Sequence, residues 1–179
     1  GGVGSVAVQL AKAWGAGRVI ATASSPQKRE LALELGADVA IDSQAQDMTA
    51  AIREANGGKR VDVILDMTGG RITDESVNAL APFGRLGFYG QASREAPKPI
   101  APTNLLVHST TIAGMWLPHA FRLPGNVVGQ AMSELFELAI DDQLRVVPGG
   151  EYALADARLA HEALRSRGTT GKLVLNPQL

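Results

Sequence analysis

The sequence predicts an α/β fold, a parallel sheet with helices on both faces, and three observations carry that reading. Short β-branched runs alternate with apolar stripes at helical spacing, each about ten residues long. The alternation continues along most of the 179 residues, a length that suits one domain with a well-buried core. A glycine-rich segment, Gly1-Gly2-Val3-Gly4, stands directly before the first helical stripe.

Taken in order, Val3, Val6, Ala7, Leu10, Ala11 and Trp14 form the apolar stripe of a first helix, closed by Gly15 and Gly17. Arg18–Ala23 reads as a buried strand. Ser25-Pro26 is an N-cap followed by proline at the first helical position, and Gly36 ends that helix. Val39–Asp42 is a strand. Asp47 caps a helix carrying Met48, Ile52 and Ala55 inward, and Gly57-Gly58 close it. Val61–Asp66 is the clearest strand. A helix is expected over Thr73–Ala81, a strand over Arg85–Tyr89, and a surface loop over Ser93–Pro102. Thr110–Leu117 reads as a strand and Val127–Ile140 as a long amphipathic helix. Extended chain over Val146–Leu154, a helix over Asp156–Arg167 and a strand over Lys172–Leu175 complete the pattern.

Composition narrows the function. The formal net charge is −1 and charged residues are interspersed, with no basic stripe for nucleic acid. No apolar run reaches the ~18 residues of a membrane span. The chain has no cysteine, hence no disulfide or thiolate metal site of its own, which suits a reducing, cytoplasmic setting. His108, His119 and His161 lack partners at metal-ligand spacing, so no metal site is expected. The chain opens on glycines that run straight into a helix. It therefore reads as a piece whose first strand lies upstream.

A glycine turn that opens a helix suits an anion, because the backbone can approach closely and the helix start offers free N–H groups. The spacing Gly1-x-x-Gly4 matches the last two glycines of the dinucleotide fingerprint. Alone it fits a plain tight turn equally well; the βα alternation after it turns the reading toward a nucleotide and a Rossmann-type, doubly wound sheet. NAD sites place an acid about 20 residues after the glycines. Here that region is Ala23-Ser24-Ser25, and the first acid is Glu30. Serines backed by Lys28 and Arg29 suit a 2′-phosphate and favour NADPH, although a solvated helix face also accounts for the two cations. At the carboxyl ends of the later strands, Thr68-Gly69 and Tyr89-Gly90 are where a flat ring can lie against backbone, or are ordinary turns. Asp66 is expected to cap a turn rather than act as a base.

The strings GGVGSVAVQLAKAWGA, LGAD, VDVILDMTGG, LAPFGRLGFYG and TTGKLVL, in this order, resemble the medium-chain dehydrogenase/reductase superfamily, most closely its quinone oxidoreductase (zeta-crystallin-like) branch. The resemblance covers essentially the whole chain. It implies pyrophosphate contacts at Gly2, Val3 and Gly4, with Gly1 in the same turn. It implies an adenosine phosphate near Ser24, Ser25 and Lys28, and a nicotinamide pocket at Thr68, Gly69, Tyr89, Gly90 and the Met115-Trp116-Leu117 strand. Lys172 approaches the cofactor from a returning segment. It further implies a division into a dinucleotide-binding domain, 1–142, and a segment, 143–179, that returns to a catalytic domain.

Two departures qualify the resemblance. Ser43 stands where these reductases often carry a tyrosine near the adenosine phosphate, which weakens the NADPH assignment. Gly114-Met115-Trp116-Leu117 is similar to a motif of some enoyl-thioester reductases. The expected activity is hydride transfer from NADPH to a quinone, enone or similar small-molecule acceptor, with no catalytic residue assigned in this chain. An enoyl-reductase module, a zinc-type alcohol dehydrogenase with ligands mostly upstream, and a nucleotide-binding redox sensor are the alternatives. If the likeness holds, Thr110–Leu117 lies at a sheet edge and joins two copies into a homodimer.

Overall fold

The β-branched runs and capped stripes become seven strands and eight α-helices in a computed structural model that describes residues 1–179. Helix α1 spans Gly4–Ala13 and strand β1 Ile20–Ala23. Helix α2, Pro26–Glu34, starts as its sequence requires: the Ser25 hydroxyl accepts the Lys28 backbone N–H, and proline fills the first turn. Gly36, just past the end, has φ +105°, a value glycine adopts without strain. Strand β2 is Val39–Asp42. Helix α3, Met48–Ala55, is capped by the Asp47 carboxylate, which accepts the Ala50 N–H at 2.8 Å.

The middle of the chain continues with β3 (Val61–Asp66), α4 (Arg71–Ala79), β4 (Leu80–Phe88), α5 (Pro102–His108), β5 (Thr111–Gly114) and α6 (Leu117–Ala120). Then come α7 (Val127–Ile140), β6 (Pro148–Ala153), α8 (Ala157–Arg165) and β7 (Lys172–Asn176). The α/β class holds, with parallel pairing of β3 with β4, β4 with β5 and β6 with β7. The strands are arranged in three sheets rather than the single one expected: β1-β2, β3-β4-β5 and β6-β7.

Three boundaries differ from the sequence reading. Leu80 and Ala81 open β4 instead of ending α4. Leu80 has extended backbone and pairs with Val61, because its side chain is almost fully buried there. The register then slips between Val61 and Val63, and the extra residues form a bulge. Within it Phe83 has φ +64° and is 87% exposed. Helix α5, unforeseen, begins on Pro102. Strand β5 stops at Gly114, because Trp116-Leu117-Pro118 starts α6. Met115, Trp116 and Leu117 therefore do not alternate across a strand.

The chain divides into two compact units: residues 1–40 with 133–179, and residues 41–132. In the first, the late segment is tied to α1 by a reciprocal pair. The Gln9 side chain donates to the Arg145 carbonyl at 3.0 Å and accepts the Arg145 N–H at 2.7 Å. The second unit holds a core of Met48, Ile52 and Ala79, with Ile41, Ala45, Val61 and Ile72 packed on it. In its sheet Leu86 is fully buried on one face, while Val63 and Leu65 on the other are more than half exposed.

Candidate functional site

Unit 1 carries the glycine turn. Helix α1 begins with no side-chain cap and no acid in its first turn, so its own first turn leaves the positive end of its dipole unneutralised. Gly1, Val3 and Gly4 are exposed. A Cβ placed on Gly4 would meet no atom within 4 Å. Gly2 is different: a Cβ there would lie 3.2 Å from the Gly171 carbonyl and 3.3 Å from the Lys172 Nζ. That ammonium donates to the Gly2 carbonyl at 3.1 Å, so the late strand β7 brings a cation onto the turn.

The structure also gathers the residues that follow β1. Ser24 is exposed at its end. The Ser25 hydroxyl is engaged as the α2 cap. Lys28 Nζ donates to the Arg167 carbonyl at 2.5 Å, which fixes its position while leaving two donors for another acceptor. Arg29 donates to the Ala23 carbonyl at 3.1 Å, at the end of β1. No sequence pattern announces the Arg167 and Gly2 contacts, because the partners lie 139 and 170 residues apart.

Unit 2 carries the remaining candidates along the carboxyl ends of its strands. Asp66, 3% exposed, organises them. Its Oδ1 accepts the N–H groups of Thr68 at 2.7 Å and Gly69 at 3.4 Å, and its Oδ2 accepts the Thr73 hydroxyl. Asp66 thus caps a turn, the role its position suggests. Tyr89 N–H donates to the Asp66 carbonyl at 3.0 Å. Burial, and then the Asp66 charge, push the Tyr89 phenol above its ordinary pKa, so it stays protonated at neutral pH.

The glycines here serve packing. Gly69 has φ +79°, and a Cβ on it would come within 2.8 Å of Gln91. One on Gly90 would come within 2.9 Å of the Met67 carbonyl. The loop after β4 thus lies against the loop after β3. Met115 N–H extends the β4 pairing by donating to the Phe88 carbonyl at 2.9 Å, and Trp116 beyond it is 68% exposed. Ser43 also belongs to unit 2, where its carbonyl accepts an Arg71 guanidinium N–H at 3.2 Å.

Together, the open space at Gly4, the uncapped start of α1 and the two flanking ammonium groups fit a phosphate-bearing cofactor. For zinc the residues do not fit. The chain has no cysteine, and no group of three or more His, Asp or Glu side chains is placed to hold a metal ion. No helix is long and apolar enough to cross a membrane.

Similarity to known proteins agrees with this geometry. A quinone oxidoreductase of Salmonella typhimurium is 34% identical over 99% of the chain and 54% of its own length. A 2-haloacrylate reductase of a Burkholderia species is 32% identical over 99% of the chain and 53% of its own length. The structure of an Escherichia coli quinone oxidoreductase complexed with NADPH superposes with a TM-score of 0.85 at 31% identity, over 98% of this chain and 54% of that one. The chain thus spans about half the length of these relatives. The zinc-binding dehydrogenase family matches residues 2–137, most of the chain. The chain belongs to the zinc-binding dehydrogenase family.

Proposed function

We propose that the chain is the NADPH-binding part of an oxidoreductase that reduces a quinone, enone or similar activated alkene. The carrying observation is Gly4. Gly4 is the first residue of α1, where glycine offers the helix itself no advantage over alanine. Here neither a left-handed backbone nor any neighbouring atom calls for it. A pyrophosphate laid on the helix start does call for it, because a side chain would stand in its place. The similarity to an NADPH-complexed reductase and to a 2-haloacrylate reductase supports both cofactor and acceptor class.

In this reading, Gly1, Gly2, Val3 and Gly4 hold the pyrophosphate, and Ser24, Ser25 and Lys28 the adenosine phosphate, with Lys172 adding charge. The nicotinamide contacts fall to Thr68, Gly69, Tyr89, Gly90 and the stretch Met115–Leu117, with Ser43 on the adenosine side. When bound, NADPH supplies the hydride from C4 of its nicotinamide. The chain binds, orients and excludes water. Asp66 keeps the Thr68–Gly69 backbone fixed, and Tyr89 presents an O–H rather than a phenolate. Residues 1–142 act as the dinucleotide-binding domain, and 143–179 as the segment leading to a catalytic domain.

Gly4→Val tests the assignment. The variant should keep its circular dichroism spectrum and lose measurable NADPH binding in calorimetry; unchanged affinity excludes this turn as the phosphate site.

The same reading makes the whole protein a cytoplasmic homodimer. Strand β5 is the outer strand of β3-β4-β5, so one of its edges has free N–H and C=O groups that a second copy can pair. Ile112→Pro removes a ladder donor. Light scattering should find that variant monomeric with NADPH binding intact. A monomeric unmodified protein at micromolar concentration rules out edge pairing.

A further inference from the structure

The candidate cofactor residues of unit 2 line the carboxyl ends of β3, β4 and β5. At the opposite ends, about 16 Å away along β3, the same unit opens onto a separate cavity of about 280 Å³. Arg60, immediately before β3, lines it, as do Leu80 at the start of β4 and Leu105 and His108 of α5. Asp74 of α4 and Lys98 complete the part of the lining that bears charge.

These groups have hydrogen-bonding capacity that the fold does not use. Arg60 Nη1 donates to the carbonyls of Asn78 at 2.6 Å and Leu80 at 3.0 Å, which anchors the guanidinium and leaves its Nε and Nη2 without partners. The Lys98 backbone N–H donates to Asp74 Oδ1 at 2.8 Å, which fixes segment 98–100 against α4, while the Lys98 ammonium has no partner. The His108 ring has none either. With two cations and one carboxylate, the lining carries a single excess positive charge before His108 is counted. Leu80 and Leu105 supply an apolar wall.

We propose that this cavity binds a small organic acid, its carboxylate between Lys98 and Arg60 and its apolar body against Leu80 and Leu105. The volume lies at the lower edge of the ~300–1,000 Å³ typical of ligand pockets, which limits the ligand to a few carbons. One excess charge matches a monoanion rather than a phosphate dianion. An anchored guanidinium offers directed donors to a carboxylate at little ordering cost. The site is independent of the dinucleotide reading, since no residue is shared.

Calorimetric titration of the full-length protein with hexanoate tests it. Saturable binding is expected, and hexanamide, the same body without charge, should bind at least about tenfold more weakly, the loss of one charge-assisted contact. Lys98→Gln, at an exposed position, should weaken hexanoate by a similar factor without shifting the melting temperature. Lys28→Gln, on α2 of the other unit, should leave it unchanged. Equal binding of hexanamide, full affinity in Lys98→Gln, or loss in Lys28→Gln would each overturn the proposal. So would inorganic phosphate competing as well as hexanoate does.

Discussion

The two units hold their candidate residues by different means. In residues 41–132 the candidates rest on apolar packing and on partners nearby in sequence. All three largest fully buried side chains, Met48, Leu80 and Leu86, lie in this unit, and Asp66 reaches Thr68, Gly69 and Thr73 within seven positions. In residues 1–40 with 133–179 the candidates and the start of the chain rest on a few polar contacts between residues far apart in sequence: Lys172 to Gly2, Lys28 to Arg167, Gln9 to Arg145. Its most buried apolar side chains, such as Val19, Leu35 and Leu144, keep 6–8% exposure. A packed core resists small changes in solvent. A set of exposed polar ties competes with water and opens locally at lower cost. In our reading the proposed nicotinamide side is thus built for rigidity, and the proposed phosphate side for dependence on what binds there.

The sharpest test of this contrast is a cavity in unit 2. Leu86→Ala removes a fully buried side chain and should cost about 3 kcal/mol of stability, read from urea unfolding. A loss below about 1 kcal/mol would mean that this core is no tighter than the one in unit 1. Lys28→Ala should act on binding instead. NADPH affinity should fall by about 1–3 kcal/mol while NADH affinity hardly changes, since a charge-assisted contact to the 2′-phosphate is lost. Equal losses for both cofactors would place Lys28 in a purely structural role, through its tie to Arg167.

The smallest expected effect concerns acid. Asp38 is held below the ordinary carboxylate range, first by the Val19 N–H at 2.7 Å and then by Lys12 at 2.9 Å. A depressed folded-state pKa gives stability that is fully present above the unfolded value near 3.9 and is lost as pH falls through the folded one. Asp38→Asn should therefore flatten the acid limb of the stability curve below about pH 4 and leave its shape at neutral pH unchanged. An identical acid limb in the variant would remove Asp38 from the acid response.

What the sequence made legible follows the range of the interactions. The cap at Ser25, the cap at Asp47 and the stop at Gly36 are decided within four residues, and all are where the sequence puts them. The Asp66 turn is equally local. Leu80 misleads because its apolar side chain fits a helix stripe, while tertiary burial beside Val61 makes it a strand. Helix α5 shows no stripe to find: Leu106 and Val107 are both more than three quarters exposed. The glycine turn announces the phosphate site we propose, but the cations assigned to it come from β7 and α2. Their contacts to Gly2 and Arg167 have no signature in spacing. At Gly69 and Gly90 the packing of one loop on another explains the missing side chains, a requirement invisible without the fold.

The discontinuity of the first unit has a consequence for the order in which the protein is made. Synthesis proceeds from the amino end toward the carboxyl end at about 5–20 residues per second. Residues 41–126, ahead of α7, are contiguous, so their partners within the unit have emerged before the later part of the first unit is made. The first forty residues have a different fate. Their glycine turn leaves the ribosome early but waits for Arg145, Arg167 and Lys172 to close over it. For those seconds the nascent chain carries a finished half and an open half, and the open one is the part that holds the phosphates in our reading. A rare-codon pause after residue 132 would lengthen that interval without altering a single native contact.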